Sequence, residues 1–243
     1  MKVDVIISAD DIKEEKIRGK VVVIIDVLRA TSVMVTAMEN GCKEIIPVKK
    51  VEEAMEIASK DRSKFLLGGE RKGIKIDGFD FSNSPLEYES SKVKGRTLVM
   101  TTSNGTQAIK NCEEAGRIFI GALINGQAIA EKLMNLKEDV VFVNAGTNGQ
   151  FSMDDFITSG YMISELMDIA KMNHCEDIVE LSDIARTSEY IYNSSNTVDG
   201  FLKDATHYKR METLGYFGDL KYCLSKNKTR LVPEYRNGII TIK

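Results

Sequence analysis

The stretch VVVIIDVLRATS, residues 21–32, decides the fold. Its first five residues are apolar and β-branched. That run is too short for a membrane span and too continuous for a strand with one wet face. The expectation is a strand covered on both faces, as in the parallel sheets of α/β proteins. Asp26 then emerges at the carboxyl edge of the strand, with Arg29, Thr31 and Ser32 behind it. Open α/β sheets bind ligands at that edge. An acid, a base and two hydroxyls there point to a metal, an anion, or both.

Outward from this stretch, strand and helix signals alternate. Strands are expected at 3–8, 44–48, 64–71, from 96 into the turn TTSNGT, at 117–123 and at 140–149. Helices are expected at 30–40, where Gly41 supplies a stop, and at 51–60, 106–114 and about 125–136. Pro47 lacks an N–H and pushes 44–48 toward a sheet edge. The loop 73–88 is rich in turn formers yet carries Phe79, Phe81 and Tyr88, and reads as an ordered functional loop. After residue 150 a long helix (151–170), a second (178–193) and two short ones (207–215, 217–225) follow. RLVPEY and GIITIK close the chain as a hairpin or returning strands around Asn237-Gly238. The fold class is α/β, with a largely parallel sheet flanked by helices. Residues 1–150 form the α/β lobe and 151–243 a more helical C-terminal lobe packed on it, or the two make one domain.

The chain of 243 residues can bury a sizeable core, and its net charge of -3 offers no basic surface to nucleic acid. The segment MKVDVIISADDIKEEK carries acids inside and after its apolar run, unlike a secretory signal, and no stretch reaches the ~20 apolar residues of a membrane helix. A cytoplasmic protein is expected, with no membrane or nucleic-acid partner and scope for homo-oligomers. Cys42, Cys112, Cys175 and Cys223 are scattered and form no CxxC pair, which favours reduced, buried thiols over a zinc site. His174 and His207 are isolated and read as helix-surface or helix-end residues, not ligands.

Four strand exits carry unusual polar content: Asp26/Arg29, Gly68-Gly69-Glu70-Arg71, Thr101 to Thr106, and Asn144 to Gly149. In a parallel sheet they would share one edge and one pocket. TTSNGT opens a helix and is a candidate anion cradle, although the same residues also serve as helix caps. Neither glycine turn matches a Walker A or dinucleotide fingerprint. Asp26, Glu70, Asp80 and one of the adjacent pair Asp154-Asp155 are candidate metal ligands. Hard oxygen ligands without His or Cys point to Mg²⁺. Asp80 could instead form an Asx-turn. Arg29 and Arg71 offer planar forks for phosphate or sulfonate oxygens.

VIIDVLRATS, GGERKGIKIDGFDFSNSPLEY, TTSNGTQAI and NAGTNGQFSMDDFITSG resemble, in that order, the motifs of the 2-phosphosulfolactate phosphatase family, over residues 21–160. The resemblance implies an α/β fold distinct from the common phosphatase superfolds. It also implies Mg²⁺-dependent hydrolysis of a small anionic phosphorylated substrate, (2R)-phosphosulfolactate, to sulfolactate and phosphate, a step toward coenzyme M in methanogens. Carried over residue by residue, it implies catalytic Asp26, Arg29 and Asp155. The substrate-binding set is Thr31, Arg71, Asn83, Ser84, Thr102, Asn104, Gly105, Thr106 and Gly146. The metal-binding set is Asp26, Glu70, Asp80 and Asp155. Asn144 stands where the family has a small residue or cysteine, and Ser82 where glycine is commoner. The arginines would take the sulfonate or carboxylate and a glycine turn the phosphate. Asp26 would be either a metal ligand or a nucleophile, since the motifs hold no reactive cysteine or histidine.

Overall fold

Val21–Ile25 is a strand with all five residues buried, as its two-sided apolar run requires. In the computed structural model, which describes residues 1–242, it belongs to one mixed, mostly parallel 11-stranded sheet. In chain order the strands are β1 (Lys2–Ile6), β2 (Val21–Ile25), β3 (Glu44–Pro47), β4 (Phe65–Arg71), β5 (Ile74–Lys75), β6 (Thr97–Thr101), β7 (Arg117–Gly121), β8 (Val140–Asn144), β9 (Glu180–Leu181), β10 (Glu234–Arg236) and β11 (Ile239–Thr241). The helices are α1 (Glu14–Ile17), α2 (Ala30–Glu39), α3 (Val51–Ser59), α4 (Ser90–Val93), α5 (Gly105–Asn111), α6 (Gly126–Leu136), α7 (Met153–Met172), α8 (Asp183–Ser194), α9 (Val198–Leu202), α10 (Thr206–Thr213) and α11 (Phe217–Cys223).

The sheet order is β5-β4-β6-β3-β11-β10-β7-β2-β8-β1-β9. Strands β4, β6 and β3 form one parallel block, and β7, β2, β8, β1 and β9 another. Between them lies the C-terminal hairpin β10–β11, antiparallel to its partners on both sides. Asn237 and Gly238 at its tip have φ of 52° and 86°, the positive pair that a two-residue primed turn needs. Because the hairpin reverses strand direction between the blocks, the four polar exits do not arise from one uniformly parallel edge. They meet all the same, and α5 contacts both β2 and β3, straddling the blocks.

Two expectations change. Strand β3 is interior, between β6 and β11, not at an edge. Pro47 is its last residue, paired with Met100, while the β11 ladder reaches β3 only at Ile45–Ile240. The missing N–H therefore lies beyond that ladder. The segment 178–193 is not one helix. Glu180–Leu181 extends the sheet beside β1, and Ser182 then caps α8 by accepting a hydrogen bond from the Ala185 N–H at 3.3 Å.

Strand β2 feeds two cores with period 2. Val21, Val23 and Ile25 join a cluster with Phe142, Leu133, Ile157, Leu166, Leu202 and Leu220, which carries the C-terminal helices. Val22 and Ile24 join another with Val33, Met34, Ile45, Leu98 and Ile120. Each such side chain contributes about 1.5–3 kcal/mol by burial. The four cysteines are free thiols, and no described helix is long and apolar enough to cross a membrane.

Candidate active site

The exit of β2 is shaped by its own hydroxyls. The Asp26 N–H donates to Thr31 Oγ1 at 3.2 Å, the Ala30 N–H donates to Asp26 Oδ1 at 3.3 Å, and Ser32 Oγ donates to the Val27 carbonyl at 2.8 Å. Helix α5 presses on the same carboxylate through Gly105. A Cβ there would lie 2.7 Å from both Asp26 Oδ2 and Ala30 Cβ, so only glycine permits the approach. Burial raises the Asp26 pKa to about 6, against the positive His207 and the Ala30 N–H, while Glu70 and Asp154 push the same way as burial.

The exits of β4 and β6 interlock. Gly69 has φ 143°, and a Cβ there would sit 1.9 Å from the Thr101 carbonyl oxygen. Glu70 Oε1 accepts from the Ser103 N–H and Oε2 from the Gly73 N–H, each at 2.7 Å. The TTSNGT turn thus wraps a carboxylate of the protein itself. Thr102 and Thr106 cap one another: each side-chain oxygen accepts the other's N–H, at 3.2 and 3.1 Å. Arg71 points away from the cleft, donating to the carbonyls of Glu70 and Lys49 and to Thr101 Oγ1. Asp80 is held by Arg62 at 2.7 Å and by the Leu67 N–H at 2.7 Å, also outside the cleft.

Loop 82–88 delivers Asn83. Glu87 ties down Ser82, and the Tyr88 hydroxyl donates to the Ser82 carbonyl. Asn83 Oδ1 is left buried with no hydrogen-bond partner among the described residues. Arg29 is held by α11. Its Nη1 donates to Asp219 Oδ2 at 2.5 Å, its Nη2 to the Gly73 carbonyl at 3.2 Å, and its guanidinium lies 3.9 Å from the Tyr216 ring centre. Ser84 Oγ donates to the other oxygen of Asp219 at 2.7 Å.

At the β8 exit, Asp155 accepts from the Val27 N–H at 2.9 Å and the Gly146 N–H at 3.0 Å. It staples α7 to two strand exits. Burial, with the nearby charges of Asp154 and Asp26, holds its pKa well above the ordinary carboxylate range. Its neighbour Asp154 accepts from the Ser152 hydroxyl and pairs with His207 Nδ1 at 3.0 Å. Burial alone would raise the Asp154 pKa, but the charge and hydrogen bond of His207 prevail and lower it. Burial likewise opposes the His207 charge, and Asp154 overcomes it, raising the His207 pKa.

These elements enclose a small cleft at the strand exits, lined mostly by polar residues. Of the residues expected in a site, Asp26, Arg29, Glu70, Asn83 and Asn104 line it. Thr31, Ser84, Thr102, Gly105, Thr106, Gly146 and Asp155 stand behind this lining and position it. Ser103, Thr147 and Asn148 line the cleft from the expected strand-exit turns, whereas sequence reasoning missed Lys72, His207, Arg210, Met211 and Leu214. A signal existed for four of them. His207, Arg210, Met211 and Leu214 fall at i, i+3, i+4 and i+7, one face that mixes charge with apolar bulk.

No group of three His, Cys, Asp or Glu side chains among the described residues could hold a metal by itself. Asp26, Glu70 and Asn83 nevertheless bring oxygens to one cleft, and Asn83 Oδ1 has nothing else to accept from. A sparse oxygen set suits a hard cation that keeps its waters, such as Mg²⁺. Around it stand Arg29, Lys72, His207 and Arg210. Neither Lys72 nor Arg210 forms an ion pair within the described chain, so the cleft has cationic character to offer an anion.

A buried carboxylate among oxygen donors, in a small cleft with cations at its mouth, fits the phosphoric monoester hydrolases, the class to which the family of this chain assigns it. The comparison of families is specific. The family model described as 2-phosphosulpholactate phosphatase matches residues 6–238, and the chain belongs to that family. It is similar to proteins named probable 2-phosphosulfolactate phosphatase from Clostridium tetani and Clostridium acetobutylicum. The identities are 58% and 55% over 240 residues, covering 99% of this chain and 100% of each relative. The Clostridium beijerinckii relative of the same name is 51% identical over 242 residues, 99% of both chains.

Proposed function

We propose that the protein hydrolyses (2R)-2-phospho-3-sulfolactate to 3-sulfolactate and inorganic phosphate in a Mg²⁺-dependent reaction. That activity would place it at the sulfolactate-forming step of a coenzyme M-type route. The observation that carries the reading is the meeting of Asp26, Glu70 and the unpartnered Asn83 oxygen in one cleft with Arg29, Lys72 and Arg210. The substrate class assigned to the relatives bears a phosphate, a carboxylate and a sulfonate. Only a cationic cleft can desolvate so many negative charges.

Asp26, Glu70 and Asn83 would hold the Mg²⁺, which when bound supplies charge neutralisation at the phosphoryl oxygens. The chain's own residues do the rest. Gly105 and Thr31 hold Asp26 in place at the strand exit. Glu70 fixes the two turns that frame the phosphoryl group, through Ser103 and Gly73. Lys72 and Arg210, at the mouth, take the acidic groups that are not transferred.

Phosphate release from racemic 2-phosphosulfolactate, measured with EDTA and after Mg²⁺ is restored, tests this reading. Release that stops with EDTA and returns with Mg²⁺ is expected. Release from 2-phospholactate but not from the sulfonated ester would transfer the activity to another phosphorylated acid. A ligand-induced rise in melting temperature without turnover would make the chain an anion-binding module.

A further inference from the structure

The phosphatase reading leaves one pair in the cleft without a task. His207, the second residue of α10, is about one-fifth exposed, and its Nδ1 contacts Asp154 at 3.0 Å. Asp154 is buried in the first turn of α7 and is also fixed by the Ser152 hydroxyl. A carboxylate accepts only, so Nδ1 carries the hydrogen and Nε2 is the ring nitrogen left for the cleft. We propose that His207, oriented by Asp154, is the proton donor to the leaving-group oxygen of the substrate, making His207 catalytic and Asp154 a positioning residue. The inference rests on the phosphatase reading of the same cleft.

The chemistry calls for such a group. The oxygen that leaves phosphorus belongs to a secondary alcohol, and an alkoxide is a poor leaving group unless it is protonated as the bond breaks. In the step, a water oxygen bonds to phosphorus while the P–O bond to the sulfolactate carbon skeleton breaks. The electron pair of that bond stays on the bridging oxygen, which takes the Nε2 proton and becomes the product hydroxyl. The phosphate formed holds both protons of the water, loses one to solvent, and the imidazole recharges from solvent. No oxidant or reductant enters.

Other lining groups suit the role less well. Arg29 is bound to Asp219 and the Gly73 carbonyl, and guanidinium does not release protons at neutral pH. Lys72 is exposed at the mouth. Three charged groups act on His207. Asp154 on α7 and Asp26 at the end of β2 favour its charged form, while Arg210 on its own helix opposes it. Burial opposes that charge most strongly, yet the pKa is raised on balance, which is the direction a proton donor needs.

The test compares wild type, His207→Gln and Asp154→Asn, all supplied with Mg²⁺, on racemic 2-phosphosulfolactate and on p-nitrophenyl phosphate. The nitrophenolate leaves without a proton. For His207→Gln a loss of about 10²–10⁴-fold in kcat is expected on the alkyl ester and under about tenfold on the nitrophenyl ester. The alkaline fall in wild-type kcat should vanish in the variant, while a melting curve shows the fold retained. Asp154→Asn should move kcat and its alkaline limb in the same direction. Equal losses on both esters, or an alkaline limb that survives in His207→Gln, overturn the proposal. If p-nitrophenyl phosphate is no substrate, the alkaline limb alone decides. Wild type releasing phosphate from neither ester overturns the phosphatase reading, and the proposal with it.

Discussion

Arg29 and Asp219 form a salt bridge at 2.5 Å in which both side chains are almost wholly buried, at 2% and 5% exposure. The pair joins the exit of β2 to α11, elements from opposite ends of the chain. Removing one partner strands a buried charge, which costs far more than the pair contributes. Asp219→Ala should destabilise the protein by about 3–5 kcal/mol. For a chain of this size that lowers the melting temperature by on the order of 10 °C. Calorimetry or urea unfolding measures it, and a loss below about 1 kcal/mol would contradict the buried pairing.

Asp26 gives a prediction of opposite sign. Its folded pKa, about 6, lies above the usual 3.8, so the native state holds more protons than the unfolded chain between those values. Stability is therefore lost as pH rises through that window and stays lost above it. Asp26→Asn, which cannot ionise, should unfold about 1–3 kcal/mol later than wild type at pH 8 and show little advantage at pH 3.5. The same variant should lose activity, and its melting temperature should stop responding to Mg²⁺.

Gly105→Ala tests the contact between α5 and the carboxylate. The added Cβ would meet Asp26 Oδ2 and Ala30 Cβ at 2.7 Å, and the latter is rooted in α2. Something must shift, at a cost of about 1–3 kcal/mol. Because the displaced group is Asp26, kcat should fall on the order of 10²-fold with the fold intact. Unchanged kcat in the folded variant would show that Asp26 needs no such placement.

The pairing of Asp154 with His207 sets a bell-shaped stability contribution. The raised His207 pKa adds stability that is full below about 6.5 and is lost as pH climbs through the folded value. The lowered Asp154 pKa adds stability that is present above about 3.9 and is lost as pH falls through the folded value. The stability difference between wild type and His207→Ala should peak at about pH 4–6.5 and shrink at pH 9. A difference that grows toward pH 9 would reverse the assignment.

Arg210 should govern selectivity. It donates to the Lys72 carbonyl at 2.8 Å and carries its charge to the cleft mouth. Arg210→Ala should raise KM for 2-phosphosulfolactate by about tenfold, and for a simple phosphate monoester much less. Matching effects on both esters would remove its role in recognising the second acid.

Elements whose chemistry admits one reading were legible in the sequence. The run Val21–Ile25 reads as a buried strand because it is short, continuous and wholly β-branched, and Asn237-Gly238 as a tight turn because Asn and Gly adopt its positive φ values most readily. Strand exits marked Asp26, Glu70 and Asn104 as site residues because small polar residues cluster there, and Asn83 was marked only by the family resemblance. What distance along the chain conceals was not legible. Arg71 and Asp80 look like ligands until Thr101, Lys49 and Arg62 are seen to satisfy them. His207 looks idle until Asp154, from another helix, is found at its Nδ1. The interior place of β3 depends on a hairpin nearly two hundred residues later.

That hairpin bears on how the molecule is made. During synthesis β3 and β7 both emerge long before the strands that separate them, and each then presents open backbone amides and carbonyls. A nascent chain halted before β10 holds two unjoined half-sheets whose facing edges invite pairing with other chains. Closure of the sheet is thus a late event. A block to it, such as proline at Tyr235 or Ile240, would leave the upstream elements formed and the product in aggregates rather than in a merely weakened monomer.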